Sequence, residues 1–240
     1  MIATAQLSRF LVEAADTLVS DFDLVDFLHT VTENVALVSG ADAVGLMLAD
    51  SHDQLQFMAA SNRDGKLLEL IQMGLQEGPC PDCYRSGDPV VNTDLEADGD
   101  RWPGFSARAL AGGYRSVHAF PLRLRGDSVG AMSIFGDTTD PFAEDEVVAV
   151  QALADIATIS ILQDRAIARA EALTEQLQGA LNSRIVIEQA KGAIALLAGV
   201  SVEEAFVLLR AHSRRHGLLL SEVARQTVTD PRSTASWWRP

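Results

Sequence analysis

The sequence predicts an α+β domain, a long connecting helix and a small all-α domain at the C-terminal end. Three observations carry this. Residues 1–160 read in the order helix, helix, strand, strand, helix, strand, helix, hairpin, helix, which predicts a mainly antiparallel sheet with helices packed to one side. From about Ala143 the chain runs without Gly or Pro as far as Gly179, with apolar residues spaced by seven. Residues 183–230 then carry helix caps and helical periodicity with no strand alternation.

Taken in order, Leu7, Phe10, Leu11, Ala14, Ala15 and Leu18 share one face of a helix over 4–19. Asp23 caps a second helix, with Leu24, Phe27, Leu28, Val31, Val35 and Val38 inward, and Gly40 ends it. Ala43–Leu48 reads as a buried strand and Leu55–Ser61 as its neighbour, joined by a polar turn at 50–53. Residues 65–76 are helical and stop at Gly78-Pro79. Gly and Pro crowd the run 78–94, which leaves room for a short helix at 81–86, a turn at Gly87-Asp88 and a strand around Val90-Val91. A polar loop is expected at 95–105 and a helix at 105–112. Strands Ser116–Leu124 and Val129–Phe135 meet in a tight turn at Arg125-Gly126-Asp127.

In the long helix, Ile156, Gln163, Ala170 and Leu177 form one heptad row, and Ile159, Ala166, Leu173 and Ala180 another. Together they make a weak coiled-coil seam, which predicts a parallel homodimer; packing of the first two turns on the chain's own sheet is the competing reading. Arg184, Glu188 and Lys191 share one face further along, where Glu188 can pair with both basic neighbours. Past Gly199, Ser201 and Glu204 form a capping box. The helix they open turns Ala205, Leu208, Leu209 and His212 one way and Arg210, Arg214 and Arg215 the other, and it ends at Gly217. A last helix over 220–228 puts Leu220, Val223 and Ala224 inward and stops at Asp230-Pro231. The remainder, with Trp237-Trp238, reads as a tail.

Net charge is −14. Eight basic residues face five acidic ones from residue 183 onward, a balance of +3 against −17 for the rest. An acidic front with a basic tail suits a sensor joined to a nucleic-acid reader, and suits an acidic enzyme with a helical tail almost as well. No apolar run of about 18 residues predicts a membrane span, and the opening residues do not read as a secretion signal, so secretion is not expected. With only two cysteines, a cytoplasmic setting is expected. No Gly-x-Ser-x-Gly, P-loop, dinucleotide or His-Glu-x-x-His pattern occurs, so an enzyme has little positive support. Asn-Arg-Asp-Gly at 62–65 reads as a polar loop.

Cys80 and Cys83 stand in Cys-Pro-Asp-Cys, a spacing open to structural thiols, a thiol sensor or half a zinc site. No second Cys pair exists, and His52 and His118 stand alone, so no metal is assigned, and any cofactor is unknown. Cys80 and Cys83 remain the candidate sensor residues. Arg184, Lys191, Arg210, Arg214 and Arg215 can converge if the tail helices pack through Ile187, Ile194, Leu208 and Leu209. Such a surface attracts phosphate, and arginine can stack on or fork to splayed RNA bases; solvated helix faces are the bland alternative. Aromatic residues are expected to be missing from that basic face.

The run S-R-I-V-I-E-Q-A-K-G at 183–192 resembles the opening of the ANTAR domain, the RNA-binding antiterminator module of bacterial regulators. The resemblance continues through A-L-L-A-G-V-S at 195–201, E-A-F-V-L-L-R-A-H-S at 204–213 and L-S-E-V-A at 220–224. It implies RNA contacts by Arg184, Lys191, Arg210 and Ser213, while Arg214 and Arg215 rest on charge. Residues 1–160 are similar to a GAF domain through G-P-C at 78–80, S-G-D-P-V-V at 86–91, R-W-P at 101–103, G-Y-R-S-V-H-A-F-P-L-R-L-R-G at 113–126 and V-G-A-M-S-I-F at 129–135. That similarity implies a sensing or dimerising module with an unidentified small-molecule ligand. The expected layout is a GAF sensor at 1–160, a coiled-coil linker at 161–182, an ANTAR domain at 183–230 and a tail at 231–240. The implied function is antitermination, with a dimer holding paired stem-loops of a nascent transcript and no membrane involved. The alternative is a small-molecule or thiol-redox sensor acting through DNA or a protein partner.

Overall fold

The computed structural model describes residues 23–231 and Ser236. The helix expected over 4–19 and Trp237-Trp238 lie outside the described residues. Two compact units are present, Met1–Ala166 and Ile167–Pro240.

Local chemistry sets most boundaries. Helix α1, Leu24–Ser39, starts where the Asp23 carboxylate accepts the N–H groups of Val25 and Asp26 at 2.8 and 3.2 Å. It stops at Gly40, whose φ of 68° is the left-handed end a glycine allows. Strands β1, Ala43–Ala49, and β2, Leu55–Ala60, follow. Helix α2, Arg63–Leu75, begins two residues before its expected start, because Asn62 caps it by accepting the Gly65 N–H at 2.9 Å. Helix α3 is Pro79–Ser86 and also starts early, since proline fits a first helical turn. Strand β3, Val90–Asp94, is longer than the two residues expected.

The stretch 95–105 is not simply a polar loop. Leu95 and Trp102 are buried in it, and the Trp102 indole N–H donates to the Asp82 carboxylate at 3.0 Å. That bond satisfies the one polar atom of the ring and lets it enter the core. Helix α4 is Pro103–Ala111. Strands β4, Ser116–Leu124, and β5, Asp127–Gly136, join through Arg125-Gly126 alone, with φ values of 55° and 108°. Positive φ at both central residues is the turn that matches strand twist.

All five strands pair antiparallel in the order β2-β1-β5-β4-β3. Helices cover both faces of the sheet rather than one. On one face Phe27, Leu28, Val31 and Val35 of α1 meet Leu46, Phe120, Met132 and Ile134. Helix α5, Glu144–Ala198, joins them through Val150, Leu153, Ala154, Ala157 and Ile161. On the other face Leu68 of α2, Cys80 and Cys83 of α3 and Phe105 of α4 pack on Met47, Val117, Ala119 and Phe135. Every residue of β1 is buried, as a strand covered on both sides must be.

From Ala166 to Leu181 every residue of α5 is exposed. Ile167, Leu173, Leu177 and Leu181 are each about half exposed there. In the second unit Gly199, φ 68°, ends α5. The capping box of Ser201 and Glu204 opens α6, Val202–His216, and α7 is Leu220–Thr229. Ala190, Ile194, Ala205, Leu209, Val223 and Ala224 form their common core, with Ile187 and Leu208 packed against it.

Candidate nucleic-acid interface

The core of the second unit decides which side chains turn outward. On α6, Ala205, Leu209 and Ser213 are buried, spaced by four. The row Phe206, Arg210 and Arg214 therefore lies one residue further round, and Arg210 and Arg214 are exposed. On α5, Ala190 and Ile194 are buried, which leaves Lys191 at the edge of the same core.

Lys191 joins the two helices. Its Nζ lies 5.5 Å from the centroid of the Phe206 ring, close enough for a cation–π contact. It also pairs with Glu188 at 2.8 Å, and its side chain is only 17% exposed. Arg210 follows Phe206 by one turn, about 6 Å along the helix. Lys191, Phe206, Arg210 and Arg214 thus line one strip. Arg184 is exposed two turns before Lys191, and among the described residues it makes no ion pair with Glu188. Arg215 is exposed on the next row, with Val207 and Ala211, beside the His212 and His216 rings, which lie 4.2 Å apart. Burial, with His216 and Arg215 close by, holds the His212 imidazole below its ordinary value.

Two sequence expectations change here. Ser213 is buried, and its hydroxyl donates to the Leu218 carbonyl at 2.7 Å while its own carbonyl accepts the Leu218 N–H at 3.0 Å. It fastens the turn between α6 and α7 and does not face the strip. The basic face does contain an aromatic residue, Phe206. The sequence offered E-A-F-V at 204–207, but the position of Phe206 beside Lys191 depends on how α5 and α6 pack.

The first unit encloses a separate polar group. Glu69, Gln72, Cys80 and Ser133 are all fully buried. Gln72 Nε2 donates to Glu69 Oε2 at 3.0 Å and to Ser133 Oγ at 3.2 Å, and Gln72 Oε1 accepts the Cys80 N–H at 2.9 Å. Glu69 lies directly over Gly45, where a Cβ would collide with its side chain. Burial raises the Glu69 carboxyl to about 8, so it is mostly protonated at neutral pH. The Cys80 thiol is raised by burial and by neighbouring Glu69, and Cys83 is raised by burial to about 12. Both are free, inaccessible thiols, the inert kind. Glu69 gave no sequence signal, being one polar residue among several in its helix. Among the described residues no group of three or more His, Cys, Asp or Glu side chains could hold a metal ion.

Residues 22–162 match the profile of the GAF domain, and residues 175–228 match that of the ANTAR domain. The chain belongs to the GAF family and carries a C-terminal ANTAR domain. Solved structures agree on the first unit. The GAF domain of a phosphoenolpyruvate-protein phosphotransferase from Coxiella burnetii is similar at 20% identity and a TM-score of 0.54, over 70% of this chain and 99% of that one. The corresponding Acinetobacter domain is 17% identical with a TM-score of 0.52, over 68% and 94%. The free methionine-R-sulfoxide reductase of Neisseria meningitidis is 19% identical with a TM-score of 0.52, over 67% and 91%. Identities this low speak for the fold alone. No curated protein matches the chain. GAF domains are sensor modules and ANTAR domains are RNA-binding antitermination modules, so the GAF–ANTAR chain has the parts of a transcription regulator. Among its described residues no single helix is long and apolar enough to cross a membrane.

Proposed function

We propose that this GAF–ANTAR protein is a cytoplasmic antitermination regulator whose homodimer binds paired stem-loops of nascent transcripts. The observation that carries the reading is the strip of Lys191, Phe206, Arg210 and Arg214, two helices' cations around one aromatic ring within an ANTAR domain. Cations attract the phosphates, and the ring and guanidinium planes suit splayed loop bases. Arg184 and Arg215 extend the positive surface, and Ser213 supports it from below.

Support for the dimer comes from α5, where Ile159, Ile167, Leu173 and Leu177 are 41 to 61% exposed on a helix that would otherwise leave them in water. Bound RNA held in this form cannot fold the competing terminator hairpin, so the work is done by a binding equilibrium and no covalent step. The GAF domain biases that equilibrium when its ligand prefers one arrangement of the paired helices. Burial of both thiols speaks against Cys80 and Cys83 as the sensor.

Labelled RNA with two adjacent stem-loops tests the reading, titrated across a salt series beside single-loop RNA and duplex DNA. Salt-sensitive binding that prefers paired loops, lost in Lys191→Ala/Arg210→Ala, is the expected result. Equal binding to duplex DNA, or none to any of the three, overturns it and points to a sensor with a DNA or protein output.

A further inference from the structure

Helix α2 is held to the sheet by little apolar surface. Its buried residues are Gly65, Leu68, Glu69 and Gln72, two of them polar. Ile71 and Met73 add partial contacts, while Leu67, Leu70 and Leu75 are exposed. Helix α1, on the other face, buries Phe27, Leu28, Val31, Thr32 and Val35. An element with few buried apolar contacts opens before the rest of its domain. The C-terminal end of α2 is left-handed at Gln76, with a φ of 55°, and Gly78 follows at 137°. Left-handed backbone at a non-glycine residue is strained, and such strain gathers at switch regions.

A polar lock fastens this helix to the middle of the sheet. Glu69 lies over Gly45 of β1, and its Oε2 accepts from Gln72 Nε2 at 3.0 Å. Gln72 also reaches Ser133 Oγ of β5 at 3.2 Å and accepts the Cys80 N–H of α3 at 2.9 Å. Glu69 Oε1 is buried without a hydrogen-bond partner. The groups that face the carboxyl are Gln72 of its own helix, Ser133, the Cys80 thiol and the Gly45 backbone, with Cys83 one turn beyond Cys80. Among the described residues no cation stands beside it. Such a seat accepts the neutral acid and rejects the anion, because a buried charge without an opposite charge is costly. Burial accordingly raises Glu69 to about 8.

We propose that α2 is a proton-gated lid on this face of the sheet, closed while the Glu69 carboxyl holds its proton and lifting as a unit when the proton leaves. Ionisation and opening are one event. The lifted helix carries Glu69 into water and withdraws Gln72 from Cys80 and Ser133 at the same time. The sign follows from the raised value: the closed lid is fully favoured below 4.5, the ordinary value, and loses ground as pH climbs to about 8. Across that window each pH unit multiplies the open population by about ten, and above it the gain levels off. Gln72 and Met73 of the lid help to line a cavity of about 130 Å³, which opens with it. Any regulatory meaning of that opening rests on the sensor role proposed above; the lid itself does not.

Hydrogen exchange of the full chain, followed by mass spectrometry through the weakly acidic to neutral range, tests the lid. Amide exchange rises by about tenfold per pH unit on its own, and an opening that releases one proton adds about tenfold more. After correction for intrinsic rates, peptides from α2 should exchange at least about tenfold faster than peptides from β1, and their rate should climb about a hundredfold per pH unit. Glu69→Gln keeps an acceptor for Gln72 and should return the climb to about tenfold. Equal protection of α2 and β1 overturns the proposal, since the helix then leaves only when the whole domain unfolds. A merely tenfold climb in the parent also overturns it, as does a hundredfold climb that survives in a folded Glu69→Gln chain. If the variant does not fold, the parent's climb and its contrast with β1 decide the matter. No RNA enters this experiment, so the lid and the antitermination reading stand or fall separately.

Discussion

Replacing Lys191 by Ala separates an RNA-facing cation from an ordinary helix ion pair. In the free protein Lys191 bonds Glu188 at 2.8 Å, three residues away, in a pair whose acid is 57% exposed. Such a pair is worth about 0.5 kcal/mol and the contact with the Phe206 ring about as much again, while alanine's helix propensity returns about 0.3 kcal/mol. The tail should therefore keep its fold, with a melting midpoint within about 6 °C of the parent. RNA binding should suffer far more. One lost phosphate contact lowers the slope of log K against log salt by about 0.7 per protomer for single-stranded RNA, and affinity at fixed salt by about tenfold. Glu188→Gln is the counter-experiment. It removes the carboxylate that competes with phosphate for Nζ, and it should raise affinity severalfold without moving the midpoint. Filter binding or fluorescence anisotropy across a salt series reads all of this. The reasoning fails if Lys191→Ala is folded yet keeps the parent slope, or if Glu188→Gln weakens binding.

Other consequences can be measured separately. Folded Glu69 holds its proton to about pH 8, while the unfolded chain releases it near 4.5, so stability falls as pH climbs through that window by about 1.4 kcal/mol per unit from this group. Glu69→Gln should flatten that part of the pH–stability curve and raise the melting midpoint at pH 8; an unchanged slope would show that the carboxyl ionises freely. Ellman's reagent should leave Cys80 and Cys83 untouched in the folded protein and label both on denaturation, and rapid native labelling would reopen the thiol-sensor reading. Ser213→Ala removes a buried hydrogen bond to Leu218 and should destabilise the tail by about 1 kcal/mol with the RNA salt slope unchanged; a reduced slope would make the hydroxyl an RNA contact.

Much of the fold was legible wherever the cause is local. Asp23 and Gly40 bound α1, Arg125-Gly126 makes the hairpin, and Ser201 with Glu204 opens α6, because caps and turns are decided within a few residues. The covering of both faces of the sheet was not legible, because the order of elements points to helices on one side; only the seven apolar or small residues of β1 without polar alternation hint at it. The burial of Trp102 was not, since it needs Asp82, twenty residues away, to take the indole proton. At the candidate interface the cations could be read from charge and helical spacing. The aromatic member could not, because Phe206 reaches Lys191 only through the packing of α5 on α6. Ser213 shows the converse: it matched an RNA-contact motif, and only the Leu218 bond reveals a different duty. His118 looked solitary for the same reason, its partners Asn92 and Phe142 lying 26 residues before it and 24 after.

The seat of Glu69 above Gly45 also bears on how this protein can change over generations. A methyl group at position 45 has no room while the fully buried glutamate occupies the space above it. Position 45 cannot gain a side chain alone. Alanine at 45 becomes tolerable only alongside a shorter residue at 69, and once 69 is short, Gln72 keeps Ser133 alone of its two acceptors. Among descendants of this chain, glycine at 45 should be kept wherever glutamate stays at 69.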